Sequence, residues 1–290
     1  MNEAWTFLAQ RPGAFLAMAA LLGLLAGSVL NVVTCRLPAM LKRHWEDEAR
    51  ALLGLAPTVH ARCDTWLPAS HCPGCDRRLL AWQRIAWLSY LPRRQRCDRC
   101  GQPVAGRRAS MELGCAALTG VVAWSLGPGE QAVALAVLTW CLLALSVIDA
   151  RHQVLPDVLV LPMLWLGLIV NALGLFVPLH GALWGAVAGY LSLWTVFWLF
   201  KLITGKDGMG HGDFKLLALI GAWGGWQVLP LTLVLSSLLG AVAGLWLLRR
   251  PGVALGTVMP FGPYLAIAGW IAVLWGDEIG ASYLQLIGFR

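Results

Sequence analysis

Apolar residues in this chain cluster in long blocks rather than alternating or forming a single helical stripe. Eight blocks stand out, at roughly 13–35, 109–126, 131–149, 155–177, 180–203, 213–225, 227–248 and 257–276. A helix that crosses a bilayer takes about 20 mostly apolar residues and satisfies its backbone polar groups internally. The pattern therefore predicts an all-α polytopic membrane protein with eight transmembrane helices. The block at 213–225 is short and Gly-rich, so it is the weakest of the eight. One long polar stretch, 36–108, separates the first two blocks, and every other connection is short. Three regions follow: a first transmembrane helix over 1–35, an insert over 36–108 and a seven-helix membrane bundle over 109–290. Within the insert, 41–53 predicts an amphipathic helix near the head groups, and the aromatic run 79–91 predicts a contact with the membrane surface. The first block is long enough to span and lacks a small-residue cleavage site, so it reads as a retained helix and not a secretory signal.

Composition strengthens the bilayer reading. Charged residues make up 13% of the 290 and hydrophobic ones 58%, whereas soluble domains carry about 25% charged residues. The net charge is +7, and its placement sets a topology: 20 of the 22 Lys and Arg fall within 36–108, 150–154, 201–215 and 249–256. Arg11 and Arg290 alone fall on the opposite side. The positive-inside rule makes the basic side cytosolic and puts both termini outside, which an even number of spans requires. Topology accounts for the basic insert, so nucleic acid is not expected as a partner.

Four of the eight cysteines form a pattern, Cys72-x-x-Cys75 and, 21 residues later, Cys97-x-x-Cys100. Two such knuckles bring four thiolates to one point and suit tetrahedral Zn²⁺. A cytosolic location disfavours disulfides. Four thiolates leave zinc no open position, so the expected metal is structural, and no H-E-x-x-H occurs to suggest a zinc protease. Cys35, Cys115 and Cys141 lie in or beside apolar blocks and suit packing.

Acids beside apolar blocks are costly and so are functional candidates. Asp149 ends the third block and Asp157 opens the fourth, in SVIDARHQVLPD; Asp213 opens the sixth, in GMGHGDFK; Glu112 lies in the second. The three aspartates share the cytosolic edge. Two neighbouring carboxylates cannot both ionise easily, so one keeps a proton while the other activates water. Gly210 and Gly212, flanking His211, would allow a substrate backbone to approach closely. The plain alternative makes Asp213 a helix N-cap and Asp149 an edge residue.

The motifs carry a resemblance. GSVLNVVTCRLP at 27–38, the paired knuckles, IDARHQVLPD at 148–157, GHGD at 210–213 and MPFGPYLAIAGW at 259–270 together are similar to the type IV prepilin peptidases, GxGD-type membrane aspartic proteases. The resemblance implies a bifunctional inner-membrane enzyme of type IV pilus and type II secretion systems, with its active site facing the cytosol. Asp149 and Asp213 would cut the basic leader from prepilins and pseudopilins, and S-adenosylmethionine would supply a methyl group for the new N-terminus. Asp157 and Glu112 would be accessory. The insert departs from the family pattern: Trp82-Gln83-Arg84-Ile85-Ala86 stands where Asn-x-Pro is usual, Gln95-Arg96 precedes the third cysteine, and Arg108-Ala109-Ser110 precedes Glu112. Two alternatives therefore stand beside the bifunctional enzyme: a peptidase without methyl transfer, and a non-enzymatic membrane assembly or transport protein.

Overall fold

The computed structural model describes residues 5, 8, 10–56, 100, 106–206, 209–249 and 259–286, and their regular structure is entirely helical. Eight helices occur among them: α1 Pro12–Leu52, α2 Gly106–Leu126, α3 Glu130–His152, α4 Asp157–Ala172, α5 Leu179–Thr204, α6 His211–Gly224, α7 Val228–Leu248 and α8 Gly262–Leu286. The chain divides into two compact units, Met1–Ala132 and Val133–Arg290.

In the first unit, α1 begins with Pro12, whose fixed φ suits a first helical turn. The apolar block ends near residue 35, yet the helix continues through Pro38 to Leu52. Residues 41–52 are thus the polar extension of α1 and not a separate amphipathic helix, and the expected boundary at residue 35 falls inside the helix. The reason is propensity: Lys, Arg, Glu and Ala dominate the extension, and Lys42–Glu46 (4.0 Å) and His44–Glu48 (3.2 Å) pair one turn apart. Gly54, at φ 65°, follows the end of the helix. α2 runs antiparallel to α1. Gly23 and Gly27, one turn apart, let the backbones close: a Cβ at either would come within 2.7 Å of Ala116 Cα or Glu112 Cα respectively. Phe15 and Ala19 pack on Ala123 at the other end of the pair.

The second unit is arranged around α6. This helix has 14 residues, about 21 Å of rise, and every residue from Asp213 to Gly224 except Lys215 is buried. A helix apolar on all sides must be surrounded, and α4, α5, α7 and α8 all pack on it. Small residues permit this enclosure. Gly185 of α5 meets the backbone of Gly221, and a Cβ at Gly189 would lie 2.7 Å from Leu217 O. Ile220 fills the space at Gly269 of α8, and the Trp223 indole fills the space at Gly167 of α4. Trp223 Nε1 donates to Met163 O at 2.9 Å. Asn171 of α4 closes the other end of α6: its Nδ2 donates to Ala222 O (2.8 Å) and Trp223 O (3.0 Å), while its Oδ1 accepts the Val177 N–H (3.1 Å). These bonds serve carbonyls that the end of a helix leaves without intrahelical partners.

Five helices, α1, α3, α5, α7 and α8, are long and apolar enough to cross a membrane. The apolar part of α2 (Ser110–Leu126) and all of α4 (Asp157–Ala172) are shorter. The blocks at 155–177 and 213–225 therefore form shorter helices than a bilayer-length reading predicts. α4 stops at Ala172, after which Gly174 takes φ 77°.

Because Gly221 meets backbone and not a yielding side chain, Gly221→Val should overpack the α5–α6 crossing by about 1–3 kcal/mol. Thermal unfolding in detergent should show a clear fall, whereas Gly181→Ala, with nothing within 4 Å of its Cβ position, should match wild type.

Candidate active site

Asp149 sits in the last turn of α3, and the helix ends just beyond it. Gln153 donates its N–H to Asp149 O at 2.8 Å and takes φ 53°, turning the chain out of the helix. Residues 153–156 link to α4, which Pro156 enters in extended conformation. This link docks on the start of α6 at two points. Leu155 occupies the space that a side chain at Gly212 would need, with its Cβ 2.9 Å from the ideal Cβ position. Lys215 Nζ then reaches both carboxylate oxygens of Asp157, at 2.8 and 2.7 Å. A tight packing contact and a two-pronged ion pair together bring the end of α3 to the mouth of α6.

Asp213 lies in the first turn of α6. Gly210 is the N-cap and makes no side-chain capping bond; the Asp213 N–H bonds back to Gly210 O at 3.2 Å. The alternative reading of Asp213 as an N-cap is thereby excluded. Asp149 and Asp213 are 6% and 7% exposed and interact electrostatically. Few other arrangements of two acids are so costly without a chemical use. The Asp149 Oδ2 accepts the backbone N–H of Gly262, at the start of α8, at 3.0 Å. Residues from α3, α6 and α8 thus meet at one point.

The other candidates separate. His211 is exposed, with its ring against Phe197 (5.0 Å between centroids) and Phe214 (5.5 Å). Among the described residues, the only atom within 4 Å of an ideal Cβ at Gly210 is Asp213 Oδ2, at 3.9 Å. At Gly212 the missing side chain makes room for Leu155. Asp157 is the first residue of α4, after the N-cap Pro156, and its carboxylate accepts from Lys215. Glu112, 1% exposed, belongs to the first unit, where Gly27 packs on its Cα. Cys72, Cys75 and Cys97 lie outside the described residues, as do 79–91; Cys100 is an exposed turn residue. No group of three or more His, Cys, Asp or Glu placed to hold a metal occurs among the described residues. Leu155, Lys215 and Gly262 carry no chemical signal of their own in the sequence, although Lys215 stands two residues after Asp213 and Gly262 precedes a proline.

The Asp157 and Lys215 side chains are 51% and 33% exposed, so solvent screens the pair. A double-mutant cycle of Asp157→Asn and Lys215→Met should give a coupling of about 0.2–1 kcal/mol in unfolding experiments. A coupling well above that range would make the pair a structural anchor of the unit.

Residues 136–245 match the Type IV leader peptidase family, and residues 21–126 match the Bacterial Peptidase A24 N-terminal domain. These two matches fall on either side of the division between the compact units. A Pseudomonas putida protein named prepilin leader peptidase/N-methyltransferase is 62% identical over 285 residues, 98% of this chain and 99% of its own. Proteins of the same name from Stutzerimonas stutzeri (58% over 280 residues, 96% of this chain and 97% of its own) and Pseudomonas aeruginosa (57% over 285, 98% of each) are similar throughout. No solved structure matches the chain. With identities this high over nearly the full length of both partners, the chain belongs to the type IV leader peptidase family.

Proposed function

We propose that this protein removes the basic leader of type IV prepilins and pseudopilins with Asp149 and Asp213 as an aspartic dyad, then methylates the new N-terminus. Two buried carboxylates that interact electrostatically, Asp149 at the end of α3 and Asp213 in the first turn of α6, carry the reading. A dyad that shares one proton activates water against the scissile carbonyl with one carboxylate while the other protonates the carbonyl oxygen. Collapse of the tetrahedral intermediate breaks the C–N bond, and a dyad proton leaves with the new amine. That amine exists only after the cut, so methylation follows cleavage. S-adenosylmethionine would be the methyl donor. The names of the similar proteins, which join both activities, favour the bifunctional enzyme over the peptidase alone.

The location follows the charge. With 20 of 22 Lys and Arg on one side, the eight helices read as eight crossings of the bacterial inner membrane, with the dyad at the cytosolic face. The division into a first transmembrane helix, an insert over 36–108 and a membrane bundle over 109–290 belongs to the same proposal. Cys72, Cys75, Cys97 and Cys100 would hold one structural zinc that closes the insert. The insert is basic, with 14 Lys and Arg against six Asp and Glu, so it does not attract a basic leader by charge. Recognition falls instead to the apolar stem of the substrate and to small residues at the cut.

Asp149→Asn and Asp213→Asn should each lower cleavage by about 10²–10⁴-fold or more, because an amide cannot exchange the proton; near-normal processing by either would sink the dyad. Purified protein should hold about one zinc per chain, lost when Cys72 and Cys75 both become Ser. Mass spectrometry of a processed pilin N-terminus separates the remaining readings. Cleaved and methylated product supports the bifunctional enzyme, cleaved and unmethylated product the peptidase alone. A Cys97→Ser/Cys100→Ser variant should lose methylation before cleavage.

A further inference from the structure

The first turn of a helix leaves several N–H groups without intrahelical acceptors. In α8 the sequence Phe261-Gly262-Pro263 reduces them to one. Pro263 has no N–H. The Tyr264 and Leu265 N–H groups both bond to Phe261 O, each at 3.1 Å. The Gly262 N–H remains, and it donates to Asp149 Oδ2 at 3.0 Å across 113 residues of sequence. The positive end of α8 therefore faces a carboxylate, as helix electrostatics favours. A second observation is independent of the first. A Cβ at residue 262 would lie 2.6 Å from Asp149 Oδ2, 3.0 Å from Cγ and 3.3 Å from Cβ. Any side chain there would land on the carboxylate itself.

We infer that Gly262 is a positioning residue for peptide cleavage: its lone N–H and its missing side chain fix the Asp149 carboxylate in the orientation that presents the other oxygen to water and to Asp213. This rests on the dyad reading above. The hydrogen bond holds Oδ2 and leaves Oδ1 for chemistry. An aspartate has two rotatable side-chain bonds, so without the clamp its carboxylate would sample several orientations facing Asp213. Misplacement of a reacting group by about 1 Å can cost 10²-fold in rate.

Gly262→Ala should therefore lower kcat for a purified prepilin roughly ten- to hundredfold while KM stays within about twofold. Its unfolding temperature in detergent should stay near that of wild type. An amide-to-ester exchange at residue 262, made by incorporating the α-hydroxy acid, removes the donor without adding a side chain and should also lower kcat. Gly276→Ala, in the same helix with Val228 at an ordinary 3.6 Å, should be silent. Wild-type kcat in either residue-262 variant would overturn the inference. So would a loss that appears in KM, or one that follows a fall in unfolding temperature, since those mark a packing role. Asp149→Asn run alongside separates the two failures: if it still cleaves, the dyad itself is wrong; if it is inactive and Gly262→Ala is not, only the clamp is.

Discussion

Everything in the second unit follows from the burial of one short helix. Fourteen residues give α6 about 21 Å, less than the roughly 30 Å of bilayer hydrocarbon, and its apolar character on all sides leaves no face for water. Protein must cover it, and four helices do so only because glycines remove the side chains that would hold them apart. Gly185 and Gly189 bring α5 onto its backbone, Gly269 of α8 accepts Ile220, and Gly167 of α4 accepts Trp223. Asn171 closes its C-terminal carbonyls. Asp213 inherits its position from this enclosure. A carboxylate in the first turn of a helix gripped from four directions has little freedom to move.

The second carboxylate is brought to the first by contacts that contribute little stability individually. Leu155 seats in the space at Gly212, Lys215 holds Asp157, and the Gly262 N–H holds Asp149. The ion pair is too exposed to add much. Its geometry matters more: a lysine two residues past Asp213 and an aspartate eight past Asp149 tie the two motifs at a second point. Packing at Gly212 and the pair are two separate contacts between the same segments.

The hydrophobic pattern located each of the eight helices, because a chain in or near lipid shows its helices as blocks. It did not show how far α1 continues, since the apolar block stops near residue 35 whereas helix propensity persists to Leu52. Nor did it show that α6 is enclosed by protein, because periodicity does not distinguish a helix wrapped by protein from one wrapped by lipid; only the length of 14 residues hints at it. Asp149 and Asp213 were visible for a simple reason: acids stand out in apolar surroundings. Leu155, Lys215 and Gly262 did not, because each has its meaning in a partner 57, 58 or 113 residues away. Asp157 opens the fourth block, but its ion pair with Lys215, 58 residues away, is not legible from the pattern. The glycines of the GHGD string suggested room for a substrate. At Gly212 the protein itself fills that room, with Leu155.

The two units use the same crossing device with opposite consequences for the acid beside it. In α1–α2 and in α5–α6, glycines one turn apart let antiparallel backbones touch. Glu112 lies at its crossing: Gly27 rests on its Cα, and the residue is 1% exposed. Asp213 lies one turn beyond the last glycine contact, which Gly189 makes at Leu217. There the ring of Phe197 meets those of His211 and Phe214, and Asp213 is 7% exposed. An acid at the contact is sealed by backbone on one side whatever its chemistry. An acid one turn past it, in the first turn of its helix, is buried without that backbone contact, as suits a group that must meet both a partner carboxylate and an incoming peptide.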